Sequence, residues 1–192
     1  LIRRYDISGV TRGLYFNVIF DVNESDLCIV NLGIKVNPNC RREIGKFIER
    51  VELDKNLHAF FKGFIEYARL NQQRTLLFNA LRQKYLSLVV QATSSLDYSK
   101  YNDFVEDPLI TYSSISSRVS PELTFLWYLN VTPFGHVHPT VQLFTRMPSQ
   151  WTASDKNRLI DRIPYNFQML VELKGIQIAI EVFVQCIFGH DN

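Results

Sequence analysis

His136 and His138 stand two positions apart, the spacing in this chain closest to a ligand pair. On a strand, residues two apart share a face, so two imidazoles could reach one metal ion. Further ligands would have to come from His58, His190 or a carboxylate, and none of these has a matching local spacing. The setting, Pro133-Phe134-Gly135-His136-Val137-His138-Pro139, reads as a loop entering a strand. Exposed loop histidines are therefore the expectation, with no metal site. A cysteine nucleophile needs a base at hand and an electropositive surrounding. Cys186 lies in the apolar helical run Phe183-Val184-Gln185-Cys186-Ile187-Phe188, and Cys28 in an alternating strand run. Both read as buried, inert thiols. Cys40 has Arg41 and Arg42 beside it, but no His or Asn motif.

Other reactive patterns are missing from the sequence. Ser113, Ser114, Ser116 and Ser117 make no G-x-S-x-G elbow, and the 8 glycines form neither a dinucleotide fingerprint nor a phosphate loop. Glu172, Glu181, Asp155 and Asp161 fall at helix starts or on polar helix faces, where capping and solvation account for them. The expectation is a protein that is not an enzyme, with no catalytic residue, no cofactor and no small-molecule substrate. Three cysteines without a C-x-x-C give no disulfide framework and suit a reducing compartment. A net charge of +2 is too small to argue for a nucleic-acid groove. No apolar run approaches the ~18 residues of a membrane span.

The elements that would hold these residues follow an order that repeats. Leu14, Phe16, Val18, Phe20 and Val22 alternate with Tyr15, Asn17, Ile19 and Asp21, a half-buried strand. After the Asn23–Asp26 turn, Cys28, Val30, Leu32, Ile34 and Val36 form its hairpin partner, and Ile2–Ile7 reads as a further strand. Past Asn37-Pro38-Asn39 the period becomes helical: Ile44, Phe47, Ile48 and Val51, then Leu57 to Ala68, then a second stretch after Asn71. Leu86–Val90 could open a second unit or end that helix. Strands follow at Leu109–Ser117, Leu123–Val131 and Val141–Met147. A capping signal at Thr152–Asp155 introduces a helix that Pro164 starts near Asp161 or kinks. Lys174-Gly175 stops it, and a last helix carries Ile176, Ala179, Ile180, Phe183 and Ile187. The reading is α+β, with strands and then helices, twice.

Aromatic residues make up 13% of the chain, and they crowd the first helix block at Phe47, Phe60, Phe61, Phe64, Tyr67 and Phe78. Adjacent Phe60 and Phe61 cannot both face one small sheet. Some of this surface is expected to meet another subunit, and Trp127 and Tyr128, facing opposite ways, raise the same question. The partner-interface candidates are Phe60, Phe61, Phe64 and Tyr67, with Phe183 and Phe188 on the last helix.

Leu109 through Arg118, Leu123 through Val131, Val141-Gln142-Leu143-Phe144 and Ile160 through Phe188 resemble the C-terminal domain of budding-yeast CENP-P proteins. Leu170–Ile176 with Ile180-Glu181-Val182 and Cys186-Ile187-Phe188 carries most of the likeness. Phe16–Phe20, Cys28–Val36 and Arg42–Tyr85 are similar to that family's first hairpin and helices. The resemblance implies two tandem RWD-type domains, each an antiparallel sheet covered by helices, over residues 1–88 and 89–192. It implies a heterodimer with a CENP-O-type protein, association with CENP-Q and CENP-U relatives in the COMA complex, and indirect association with centromeric chromatin. It implies a nuclear, kinetochore location and a role in chromosome segregation in mitosis and meiosis. The family's N-terminal tail, with its coiled-coil and recruitment segments, is expected to precede Leu1. The Tyr-Pro-x-x-x-Pro turn of many RWD domains is replaced here by Thr132-Pro133-Phe134-Gly135. Two alternatives remain: the CENP-O-type partner or another RWD adaptor, or an E2-like conjugating fold, for which neither Cys40 nor Cys186 is suitably placed.

Overall fold

The structure, a computed structural model, describes residues 1–88, 109–113 and 120–189. Its fold is α+β, with two three-stranded antiparallel sheets and helices. The chain divides into two compact units, Leu1–Gln73 with Tyr128–Thr140 and Arg74–Trp127 with Val141–Asn192.

In the first unit, β1 (Ile2–Thr11), β2 (Leu14–Asn23) and β3 (Cys28–Val36) form a meander. β1 is longer than the Ile2–Ile7 read from the pattern. It pairs with β2 along its whole length, and a two-residue turn, Arg12 (φ 49) and Gly13 (φ 82), joins them. Left-handed backbone at both turn residues matches the right-handed twist of the flanking strands. Tyr5 lies opposite Phe20, and their rings stack with centroids 5.1 Å apart. Asp21 is buried at a bulge in β2 and accepts from Arg4 Nε and Asn31 Nδ2, each at 3.0 Å. The Asn31 hydrogen bond first, and then the Arg4 guanidinium, hold its carboxyl below the usual range against the opposing effect of burial.

Two helices of this unit follow from the change of period. α1 (Pro38–Asp54) begins with proline in its first turn, where no amide is needed, and buries Ile44, Phe47, Ile48 and Val51. Glu52 on this helix takes the Ile34 amide of edge strand β3 at 2.7 Å. α2 (Leu57–Lys84) is opened by Asn56, whose Oδ1 accepts the Ala59 amide at 3.0 Å. α2 runs unbroken through Asn71, where the sequence pattern suggested a new start. Asn71 is buried inside the helix rather than ending it.

The second unit takes the end of α2, β4 (Leu109–Ser113) and most of β5 (Glu122–Val131) and β6 (Val137–Arg146). The sheet order is β4-β5-β6. β6 starts four residues earlier than the Val141 expected from its apolar alternation. Residues 85–88 form a turn rather than a strand, with the Leu88 carbonyl accepting the Ser113 amide at 2.8 Å. The expected continuations over 89–90 and 114–117 lie outside the described residues. After the sheet come α3 (Ser149–Ser154), a single 3-10 turn (Ile160–Arg162), α4 (Ile163–Lys174) and α5 (Ile176–Phe188). Tyr85, Tyr112, Phe125, Phe167 and Phe183 form a chain of ring contacts with centroids 5.8, 6.1, 5.3 and 5.6 Å apart. Burial pushes the Tyr112 phenol far above its ordinary pKa.

The capping signal at Thr152–Asp155 works differently from its reading. Thr152–Ser154 belong to α3, and Asp155 closes the next loop by accepting the Leu159 amide at 2.9 Å and the Ile160 amide at 2.7 Å. These backbone donors, Ile160 first, lower the Asp155 pKa. A depressed folded-state pKa means its contribution is whole above the unfolded value near about 4 and fades as the pH falls through the lower folded value. We expect the Leu159 and Ile160 amide resonances to titrate together with a midpoint below pH ~4. A midpoint at or above that value in an NMR titration would contradict the capping role.

Candidate functional site

The turn between β5 and β6 places His136 in a loop and His138 on β6, both exposed. His136 Nε2 lies 3.4 Å from Lys62 Nζ, so the ring has a cation for a neighbour rather than a second ligand. Among the described residues, no group of three or more His, Cys, Asp or Glu side chains is arranged to hold a metal ion. The cysteine reading is corrected: Cys28 and Cys186 are exposed, and Cys40 is the buried one. Cys28 sits at the turn end of the β2–β3 hairpin, opposite Asn23, and Cys186 is exposed on α5. Apolar neighbours in sequence did not bury either thiol, because period alone does not say which stripe of an all-apolar helix turns inward. Glu181, read as a polar-face carboxylate, pairs with Lys84 at 2.7 Å. That hydrogen bond is the main reason its pKa lies below the ordinary value. No helix of the described residues is long and apolar enough to cross a membrane.

Phe60, Phe64 and Tyr67 are buried in the core of the first unit. Phe16 on β2 is the hub, with its centroid 6.2, 5.6 and 5.7 Å from those of Phe60, Phe61 and Phe64. Phe60 and Phe64, one helical turn apart, stack at 5.3 Å. The Tyr67 hydroxyl donates to Glu43 Oε2 at 2.7 Å, and Glu43 Oε1 accepts the Leu129 amide at 3.3 Å. Phe61 is half-buried, as are Phe183 and Phe188 on α5. Trp127 is buried beside Phe78, with centroids 6.1 Å apart, whereas Tyr128 is exposed.

Exposed apolar surface lies in places the aromatic count did not indicate. On α4, Phe167 is fully buried, while Tyr165, Met169 and Leu173 remain 66%, 40% and 71% exposed. These three are spaced i, i+4, i+8, a second apolar stripe beside the core-facing one. The polar side chains of α5 are Gln177, Glu181 and Gln185, yet just Ala179, Ile180 and Val184 are buried. A helix apolar on nearly every side is normally enclosed. Here Ile178 is 49% exposed and Cys186 is exposed as well. Exposed apolar side chains of this kind are what interaction surfaces are built from. The signal was present in the sequence: Tyr165, Met169 and Leu173 are surplus to the stripe that packs the core.

The first unit has its own uncovered strip. Register puts Tyr5 and Ile7 on the same face as Phe20 and Val18, the face that α1 and α2 cover, yet both remain exposed because β1 is the outer strand. Comparison with known proteins places the chain in a family. A family model described as "CENP-A-nucleosome distal (CAD) centromere subunit, CENP-P" matches residues 3–184. Human Centromere protein P is 28% identical over 200 residues, covering 100% of this chain and 65% of the human protein. The mouse protein of the same name is 24% identical with the same coverage. The chicken protein is 25% identical over 97% of this chain and 63% of its own length. The chain thus spans somewhat less than two thirds of each of these relatives.

Proposed function

This chain belongs to the CENP-P family of centromere subunits, and from that premise we propose that it is a non-enzymatic scaffold subunit of the inner kinetochore. It acts as two tandem RWD-type domains, divided near residues 88 and 89. It pairs with a CENP-O-type protein and, in a COMA-like assembly, associates with CENP-Q and CENP-U relatives. Its place is the nucleus, at centromeres, with chromatin reached through partners and with chromosome segregation in mitosis and meiosis as the outcome. The observation that carries this reading is the apolar surface of α4 and α5, which the described residues leave exposed. Tyr165, Met169, Leu173 and Ile178 are exposed there, and half-buried Phe183 and Phe188 extend it. A stable heterodimer buries about 1,600 Å² in total and draws on aromatic and Met anchors of this sort.

Co-expression with a CENP-O-type protein is expected to give a 1:1 complex by size-exclusion chromatography with light scattering. The double substitution Met169→Glu with Leu173→Glu is expected to weaken that complex by at least about tenfold, since buried carboxylates in an apolar interface cost well over 1.4 kcal/mol. The circular dichroism spectrum should stay unchanged, because both positions are exposed. A well-behaved monomer that ignores the partner would overturn the proposal.

A further inference from the structure

The tip of the β5–β6 turn presents an aromatic ring that neither core uses. Phe134 is 75% exposed. The turn beneath it is held firmly. Thr132 donates its amide to the His136 carbonyl at 2.8 Å, Gly135 to the Thr132 carbonyl at 2.9 Å, and His136 to Thr132 Oγ1 at 3.1 Å. Gly135, at φ +76, rests directly on α2: a Cβ there would stand 2.7 Å from the Ala59 carbonyl oxygen and 3.0 Å from the Gly63 amide. The opposite side of the contact is as close, since a Cβ on Gly63 would meet Gly135 Cα at 2.9 Å. An apolar side chain on a pre-organised tip loses little freedom when it binds, which is the property of an interface anchor.

The side chains around this anchor are basic. His58 and Lys62, one turn apart and both exposed, flank the Ala59–Gly63 seat of the turn. His136 Nε2 reaches to 3.4 Å from Lys62 Nζ. Lys55 follows the end of α1, and α2 has no acidic residue in its first turn, so the positive end of its dipole is not offset there. The nearest carboxylates along the two helices are occupied. Asp54 is paired with Arg50 at 2.7 Å and Glu66 with Arg69 at 2.6 Å.

We propose that Phe134 together with His58, Lys62 and His136 forms a docking point for an extended acidic segment of a partner protein, one carrying a large apolar side chain to meet the phenyl ring. The Lys62 ammonium, with the positive end of the α2 dipole close by in the chain, selects carboxylates. The exposed ring selects an apolar residue beside them. A nucleic-acid backbone is the less fitting occupant, because phosphate contacts need a row of permanent cations and the cluster has one lysine among imidazoles. This surface belongs to the first unit and the α4–α5 face to the second, and they share no residue, so either assignment can fail without the other.

The test is a random twelve-residue peptide library panned on the full-length protein, followed by affinities of the enriched peptides by fluorescence anisotropy. Enriched peptides should carry Asp or Glu within a few residues of a Leu, Ile, Phe or Trp. Phe134→Ala and Lys62→Glu should each weaken their binding at least tenfold, and Leu173→Ala in the second unit should leave it unchanged. No enrichment, peptides without acidic residues, or unaltered affinity in both first-unit variants would overturn the proposal. A 20-base-pair DNA duplex bound in a Lys62-dependent way would also overturn it, and would assign the surface to nucleic acid.

Discussion

Phe60→Ala is expected to destabilise the protein by about 4 kcal/mol, within the range for truncating a large buried aromatic side chain. Phe60 is fully buried, and its ring meets Phe16, Phe61 and Phe64 at centroid distances of 6.2, 5.3 and 5.3 Å. Alanine would leave a cavity that Phe16 and Phe64, each locked by its own ring contacts, cannot collapse into. For a chain of 192 residues this corresponds to a fall in Tm of about 8–16 °C. Phe61→Ala should cost much less, because Phe61 is half-buried. The pair separates packing from partner contact. Urea melts of the purified protein that show a loss under about 1 kcal/mol for Phe60→Ala would mean that this ring is not held in a close-packed core.

Gly135→Val is expected to cost about 3 kcal/mol. Two effects add. A β-branched residue at φ +76 is strained by about 1–2 kcal/mol. The new Cβ also enters the space of the Ala59 carbonyl and the Gly63 amide, and overpacking of this kind costs about 1–3 kcal/mol. Relief comes most cheaply by lifting the turn off α2. The damage should therefore be concentrated there: the Thr132, Gly135 and His136 amides should lose hydrogen-exchange protection before the β1–β2–β3 sheet does. Lifting the turn also displaces Phe134, so peptide binding at the proposed docking point should fall with it. Uniform protection across the first unit in Gly135→Val would show that the glycine contact does not hold the turn.

Much of the architecture was legible because the residues involved obey one period with little competition. Period-two alternation in Leu14–Val22 and Cys28–Val36 left one arrangement that buries a single face, and β2 and β3 follow it. The stripe Ile44, Phe47, Ile48, Val51 did the same for α1. The full length of β1 was not legible, because an outer strand exposed on most of its length has no hydrophobic alternation to read. The Asp155 cap was misplaced because an aspartate three residues after a threonine can close a loop as readily as it opens a helix.

The candidate surface shows the same division. Residue types along the chain establish an α+β protein with surplus apolar side chains, since periodicity and composition are local properties. Which surplus side chains are inside was decided by tertiary packing. Phe60, Phe64 and Tyr67 went to the core because Phe16 on β2 and Glu43 on α1 meet them there. Tyr165, Met169 and Leu173 were left outside because the core of the second unit is filled by Phe125, Phe167 and Ile180. Pairing register and helix rotation depend on contacts between residues far apart in the chain, and a one-dimensional pattern carries no record of which of two apolar faces finds a neighbour.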